Sequence, residues 1–455
     1  MLRLSVLCFL VISYLLIYMH TSTAEQVKLD IKEHRLENGL RLLIHQDHSS
    51  PIISFQVWYN VGSINERPGI TGISHLFEHM MFKGSKNVDP EEHSRIIQRN
   101  GGTDNAFTTE DMTAYFENLP SSQIELAVKL EADRMAHLRL TAETLASERQ
   151  VVKEERRMRV DNSLFGKLNE GLYSATFLAH PYRWPVIGWM SDIDAITLDD
   201  CKSFYSAHYA PNNSTVIILG DIDFDETISI VEKYFGHIPP AERPDEMIPI
   251  EEPQSQERHK DLYVDTQFPW LAVAYHIPEA AHDDIPVLEL IENILTEGRS
   301  SRLYRKIIYE DQSALSVFAS VDKYKDPGLF VITVRSIKQG HTPEEVASVI
   351  KESLEQLKAE KATERELEKA RNQMETNLIF GLQTNFVRGI RLGFSLTRTG
   401  DPLGFVKDLE KYYRATADDI QKVARKYFTP ENRTIVRLLP KGEKQAVSKK
   451  REAVN

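Results

Sequence analysis

Apolar residues recur every three or four positions through Ile124 to Leu138, Ala142 to Arg159 and Pro343 to Lys358. That spacing lays an apolar stripe along one side of a helix, so each stretch predicts an amphipathic helix. Val57 to Val61, Thr215 to Leu219 and Trp270 to Tyr275 are short runs rich in β-branched and aromatic residues, and predict strands. The two signals mix without strict alternation, which indicates an α+β fold class rather than a parallel βαβ sheet. One apolar run stands apart. Leu4 to Met19 carries no charge, follows Arg3 and precedes the small residues Ser22-Thr23-Ala24. It reads as an export signal over residues 1–24, cleaved after Ala24. It is shorter than the roughly 20 residues of a typical membrane span. An uncleaved anchor over residues 4–19 is the alternative. The expected location is therefore periplasmic or secreted.

The pattern also repeats. Thr197-Leu198-Asp199-Asp200 leads through a helical stretch to Tyr209-Ala210-Pro211-Asn212-Asn213-Ser214-Thr215-Val216. Thr416-Ala417-Asp418-Asp419 leads in the same way to Phe428-Thr429-Pro430-Glu431-Asn432-Arg433-Thr434-Ile435. The second Asp and the Pro are 11 residues apart in both copies (200 to 211, 419 to 430). Each copy predicts a capped helix, a Pro turn and a strand, Thr215 to Leu219 and Thr434 to Leu439. The chain is thus read as two homologous halves of roughly 200 residues each, a common domain size. Pro239, Pro240, Pro244, Pro249 and Pro253, set among many charges, put the join between Glu242 and Lys260. The expected division is an N-terminal half 25–245, a linker 246–260, a C-terminal half 261–442 and a charged tail 443–455.

Composition narrows the chemistry. The 455 residues exceed what one ordinary core holds, which agrees with two halves. The net charge of −12 is dispersed and no basic stripe is present, which argues against nucleic acid as a partner. The two cysteines are Cys8, inside the signal run, and Cys201. Cleavage would leave Cys201 alone, excluding an intrachain disulfide and a thiolate metal site. Any metal must then be held by His and carboxylate side chains.

His75-Leu76-Phe77-Glu78-His79 offers such a set. Residues four apart share one side of a helix, so both imidazoles can reach one ion, and Glu78 lies on the same side. This is the inverse order of the commoner His-Glu-x-x-His zinc helix. Two histidines leave a catalytic zinc one protein ligand short. The helix predicted over Ala142 to Arg159 carries Glu148, Glu154 and Glu155. Glu148 and Glu155 are seven residues apart, about two turns, and face the same way. Glu155 is read as the third ligand and Glu148 as the acid that orients a ligand or the metal water. Glu78 is read as the general base for water attacking a peptide carbonyl.

These residues resemble the pitrilysin/insulinase family of zinc peptidases, in particular its smaller bacterial and mitochondrial-processing-type members. The resemblance covers roughly Val27 to Lys441. The family's inverted zinc helix matches His75, Glu78 and His79. Its downstream Glu-Arg pair and zinc-binding Glu match Glu148-Arg149 and Glu155. Its Gly-Gly and Asn-Ala-x-Thr segment matches Gly101-Gly102 and Asn105-Ala106-Phe107-Thr108. The resemblance implies two α+β halves forming a clamshell, with the peptide or unfolded segment added as a strand along residues 105–108. It implies one zinc per chain, because the counterparts of His75, Glu78 and His79 in the second half are Glu289, Glu292 and Asn293. It also implies a gap. The Arg and Tyr by which active members hold the substrate backbone fall, after Ser301-Arg302-Leu303-Tyr304, on Ile308 and Leu315. A partner subunit is expected to supply them, and a non-catalytic structural subunit is the rival reading.

Other features carry structural expectations. His180-Pro181-Tyr182 and Cys201 are read as packing residues. Asn212, Asn213 and Asn432 fit glycosylation sequons, but their repeated Pro-turn setting accounts for them without sugar. His93, His208 and His282 lack ligand spacing and are expected to be solvated or locally bonded.

Overall fold

A computed structural model describes residues 29–242 and 247–442. The predicted export signal and the charged tail lie outside the described residues. Among the described residues no helix is long and apolar enough to cross a membrane.

Among the described residues eleven strands form two sheets. The first holds β1 (Lys32–Arg35), β2 (Arg41–Gln46), β3 (Ile52–Tyr59), β4 (Thr103–Thr108), β5 (Thr113–Pro120) and β6 (Ser214–Gly220), in the order β1-β2-β6-β3-β5-β4. The second holds β7 (Arg258–Val264), β8 (Trp270–His276), β9 (Ala314–Asp322), β10 (Leu329–Ile337) and β11 (Arg433–Pro440), in the order β7-β11-β8-β10-β9. The pairs β2–β6 and β7–β11 are parallel, and all other neighbours are antiparallel. With β1 set aside, the two sheets agree in order and direction, so the halves are a duplication with an α+β architecture.

The repeated motif shows why the copies fold alike. Thr197 and Thr416 cap their helices with the same box. The hydroxyl accepts from the backbone of Asp200 (3.1 Å) or Asp419 (3.2 Å), and that Asp accepts from the Thr backbone in return. Asn213 and Asn432 donate to a carbonyl five residues back, His208 or Tyr427, each at 2.8 Å. They also tie the turn to the neighbouring strand, through Asn60 and His276. Asn213 is fully buried, which fits a structural role rather than a sugar site.

Each sheet buries one face under its own helices and the other under a helix from the opposite half. The Leu164–Thr176 helix lays Leu168, Leu172 and Tyr173 on Val264, Ala272, Ala274, Val436 and Leu438 of the second sheet. Its counterpart Asn385–Thr399 lays Leu392 and Phe394 on Leu43, Trp58, Ala114 and Ile217 of the first. Gly393 permits that approach, since a Cβ there would stand 2.1 Å from the Trp58 ring. The halves are thereby fastened by two reciprocal apolar contacts. Strand β4 is left as an edge, and the helix Ile73–Met80 packs beside it.

Candidate metal centre

The histidine helix, Ile73–Met80, begins at Gly72, whose φ of +88° is strained for any residue with a Cβ. A second constraint is closer still, because a Cβ there would lie 2.4 Å from the Ile187 carbonyl. The Glu66 carboxylate accepts from the first turn, from Gly72 N–H at 2.8 Å and Ser74 N–H at 2.9 Å. Burial pushes Glu66 up to about 8. Leu76, Phe77 and Met80 are fully buried and fix the helix to the core, which turns His75, Glu78 and His79 toward a second helix, Ala142–Arg156. Thr141 starts that acidic helix by accepting from Thr144 N–H at 3.1 Å.

The two helices bring three side chains together. One Glu155 oxygen lies 3.1 Å from His79 Nε2 and 3.5 Å from His75 Nε2. The ligating atoms of His75, His79 and Glu155 all fall within 4.8 Å of one another. His75 Nδ1 is buried and has no partner. Burial, with the His79 charge beside it, pulls His75 down to about 4, so it stays neutral and keeps a lone pair. Burial works the same way on His79, but hydrogen bonds to Glu148 and Glu155 outweigh it and lift His79 to about 9. Glu155 is held below the usual carboxylate range by His79 first. Two nitrogens and one carboxylate oxygen suit a borderline cation such as zinc, so the donor set fits the metal that the sequence implied.

The remaining carboxylates divide as the helical periodicity foretold. Glu148 is buried, 3.8 Å from His79 Nδ1 and 3.1 Å from Lys83 Nζ. Burial raises its pKa, but His79 and Lys83 more than reverse that. Glu154 faces solvent and pairs with Arg157. Glu78 makes no contact with the cluster of three. Its Oε2 accepts from the Thr108 hydroxyl at 2.7 Å, and burial raises its pKa.

Thr108 ends β4, so the edge strand touches the centre directly. The ladder resolves the four residues of interest. Thr109 N–H bonds the Met112 carbonyl at the hairpin end, so alternation makes Phe107–Ala114 and Asn105–Phe116 the hydrogen-bonded pairs. The backbone groups of Ala106 and Thr108 therefore point to the open edge, where Asn105 Oδ1 accepts from the Ala106 N–H at 2.9 Å. The Phe107 ring turns the other way, packing on Trp58 and stacking on Phe394 at 5.5 Å.

Several partners complete the surroundings, one at i,i+4 spacing and the others from distant segments. Arg159 reaches Glu155 at 2.9 Å, and Lys83 reaches Glu148. His93 is buried against Glu117 at 2.9 Å, with Glu131 nearby. That group also has metal-ligand geometry, but Arg134 already forms a two-point pair with Glu131, so an internal cation balances it. His180 bonds Asp326 and Tyr182 bonds Asp111, which is the packing role expected of that segment.

The second half keeps the geometry and has lost the chemistry. The acidic helix has its counterpart in Glu364–Phe380, and matching the caps Thr141 and Thr363 sets Asn377 opposite Glu155. Asn293, the counterpart of His79, meets that helix one turn earlier, with Nδ2 3.7 Å from the Met374 sulfur. Glu289, in place of His75, is taken up by Tyr412 (2.7 Å) and Lys323.

Comparison with known proteins finds relatives along both halves of the chain. Residues 41–188 match the family model described as insulinase, peptidase family M16, and residues 195–374 match the one described as peptidase M16 inactive domain. Zinc protease PqqE of Helicobacter pylori is 30% identical over 418 residues, covering 89% of this chain and 92% of its own. Uncharacterized zinc protease YmxG of Bacillus subtilis is 26% identical over 412 residues, covering 90% and 99%. The crystal structure of a protease from Helicobacter pylori matches with a TM-score of 0.87 at 30% identity, covering 90% of this chain and all of that one.

Proposed function

The chain belongs to the insulinase family, peptidase family M16, and from that premise we propose that it is a zinc endopeptidase cutting internal bonds of peptides or unfolded segments. The observation that carries this reading is the convergence of His75, His79 and Glu155 beside Glu78 and an open sheet edge. The catalytic half is taken as 25–245 and the metal-free half as 261–442, joined by 246–260.

His75, His79 and Glu155 hold one cation per chain, and Glu148 orients His79. When bound, the cation acidifies a water and polarises the scissile carbonyl. Ala106 and Thr108 pair with the substrate backbone, which lies along β4 as an added strand. Phe107 supports that strand from its other face, and Asn105, whose Oδ1 takes up the Ala106 N–H at 2.9 Å, is released to bind substrate when the peptide displaces it. Glu78 takes the proton of the attacking water as the new C–O bond forms. It returns the proton to the leaving amine as the C–N bond breaks. The Thr108 hydroxyl occupies Glu78 Oε2 and leaves Oε1 to accept that proton. Burial makes Glu78 the stronger base.

A partner subunit supplies the substrate-holding Arg and Tyr. Ile308 packs against the second core and Leu315 is 68% exposed, and neither can donate a hydrogen bond. Export follows from the N-terminal run.

The test is zinc content and peptide hydrolysis for the purified chain and for Glu78→Gln. The variant is expected to keep its zinc and lose at least a hundredfold in kcat, the scale of general-base catalysis. Loss of metal and turnover together would remove Glu78 from the base role.

A further inference from the structure

Arg335 lies on β10, on the sheet face that the Leu164–Thr176 helix covers. Its guanidinium carbon stands 4.4 Å from the centre of the Phe318 ring, 4.8 Å from Phe165 and 5.4 Å from Trp270. Three elements thus contribute one ring each: β9, the start of β8 and the start of the exchanged helix. Among the described residues Arg335 has no carboxylate within ion-pair distance and no side-chain hydrogen bond. Arg134, Arg156, Arg302, Arg388 and Arg433 all have a carboxylate. Arg335 Nε is buried without a partner, while the side chain as a whole is partly exposed and Phe165 is 46% exposed.

Aromatic faces attract and orient a guanidinium, but they leave its charge in place. A fixed fork with no counter-ion is matched by a carboxylate, which it binds through two parallel hydrogen bonds. The adjoining backbone is unusual too. Ser336 has a φ of +54°, and the β9–β10 ladder passes from Arg335↔Ser316 to Ile337↔Ala314 without pairing Ser336 and Leu315. Strain of this kind collects where side chains must be aimed. The position is within reach of the metal centre. Phe165 follows Glu155 by ten residues, the first six of them helical, so the two are at most about 23 Å apart. That is on the order of seven residues of extended peptide.

We propose that Arg335 is a carboxylate-recognition position, binding an acidic side chain or the C-terminal carboxylate of the peptide cut at the His75–His79–Glu155 centre. The proposal rests on the peptidase reading. Its specificity is for negative charge several residues from the scissile bond.

The experiment uses the full chain with zinc and a set of matched fluorogenic decapeptides. They carry Glu or Gln at each position from four to eight residues beyond the cleaved bond, with a free or amidated C-terminus. Wild type is expected to favour a carboxylate-bearing peptide at least tenfold in KM, with kcat unchanged. Arg335→Ala and Arg335→Gln lose that preference, and Arg335→Lys keeps part of it. A preference that follows Glu identifies a side-chain source, and one abolished by amidation identifies the C-terminus. Equal KM for all peptides, or a preference that survives in Arg335→Gln, overturns the proposal. Failure of the peptidase reading looks different, since wild type then cuts none of the peptides. In that case fluorescence anisotropy of the same labelled peptides on wild type and Arg335→Gln still reads the charge preference. Equal binding by both proteins overturns it.

Discussion

Glu78 and His79 are chain neighbours held for opposite tasks, and the difference lies in what each touches. His79 lies between Glu155, 3.1 Å from its Nε2, and Glu148, 3.8 Å from its Nδ1, which together fix the ring's direction. Glu78 accepts from the Thr108 hydroxyl and is raised by burial, with the charges of His79, Glu155 and Arg159 around it. Glu148 stands behind His79, and removing such a supporting carboxylate typically weakens metal binding about 10- to 100-fold. Glu148→Gln is therefore expected to fall in that range, and Glu155→Gln to fall well beyond it. Competition with a chromophoric zinc chelator measures both, and equal losses would undo the distinction between ligand and support. Thr108→Val leaves all three ligands in place. It is expected to keep full zinc content and lose about tenfold in kcat, equivalent to about 1.4 kcal/mol for one hydrogen bond to a carboxylate. An unchanged kcat would mean that Glu78 needs no such orientation.

Elements were legible in proportion to how local their signals are. The acidic helix follows from periodicity, and the seven-residue interval separated Glu148 and Glu155 from the solvent-facing Glu154. The duplication was legible because a capping box, a Pro turn and a buried Asn recur at one spacing. What stayed hidden were contacts between distant segments: Thr108 on Glu78, His93 on Glu117, and the helix each half lends the other. No local pattern states which strand will neighbour which helix. Arg302 is a similar case. Its sequence setting suggested the substrate-holding segment, yet its guanidinium forms two bonds, of 2.7 and 2.9 Å, to Glu366 in the first turn of the Glu364–Phe380 helix. Burial alone would raise Glu366, but Arg302 and the Thr363 cap hold it at about 2, against 4.5 ordinarily. A depressed carboxylate adds stability above pH 4.5 and loses it as pH falls toward 2. After allowance for partial exposure the contribution is about 1–2 kcal/mol. Glu366→Gln is expected to lower the melting temperature at pH 7. The gap from wild type should narrow steadily between pH 5 and pH 3, and a gap independent of pH would assign the loss to packing instead.

At the scale of the molecule, the exchanged helices make the two halves one mechanical unit, and this bears on where substrate affinity must come from. Helix Asn385–Thr399 meets the first sheet through Gly393 and Gly389, where a Cβ would press on Trp58 and Gln56. Gly393→Val is expected to cost about 1–3 kcal/mol in stability by overpacking that contact, with zinc affinity at 25 °C unchanged because no ligand lies on either element. Thermal melts and chelator competition separate the two effects. A chain so fastened has little freedom to swing its second half over its own metal centre. In the register set by Ser301-Arg302-Leu303-Tyr304, the positions expected to hold a substrate there are Ile308 and Leu315. Leu315 and Tyr309, 68% and 75% exposed, instead leave apolar surface facing outward beside the position where those donors belong. On the proposed reading the missing donors come from another polypeptide. The purified chain alone is therefore expected to bind zinc fully and to hydrolyse peptides slowly, with kcat/KM rising at least a hundredfold when a family member carrying the Arg and Tyr is added. Two backbone hydrogen bonds to charged or phenolic donors, made in the transition state, account for an effect of that size. Full activity from this chain alone, whether it runs as a monomer or a homodimer on gel filtration, would show that Ile308 and Leu315 leave no gap to fill.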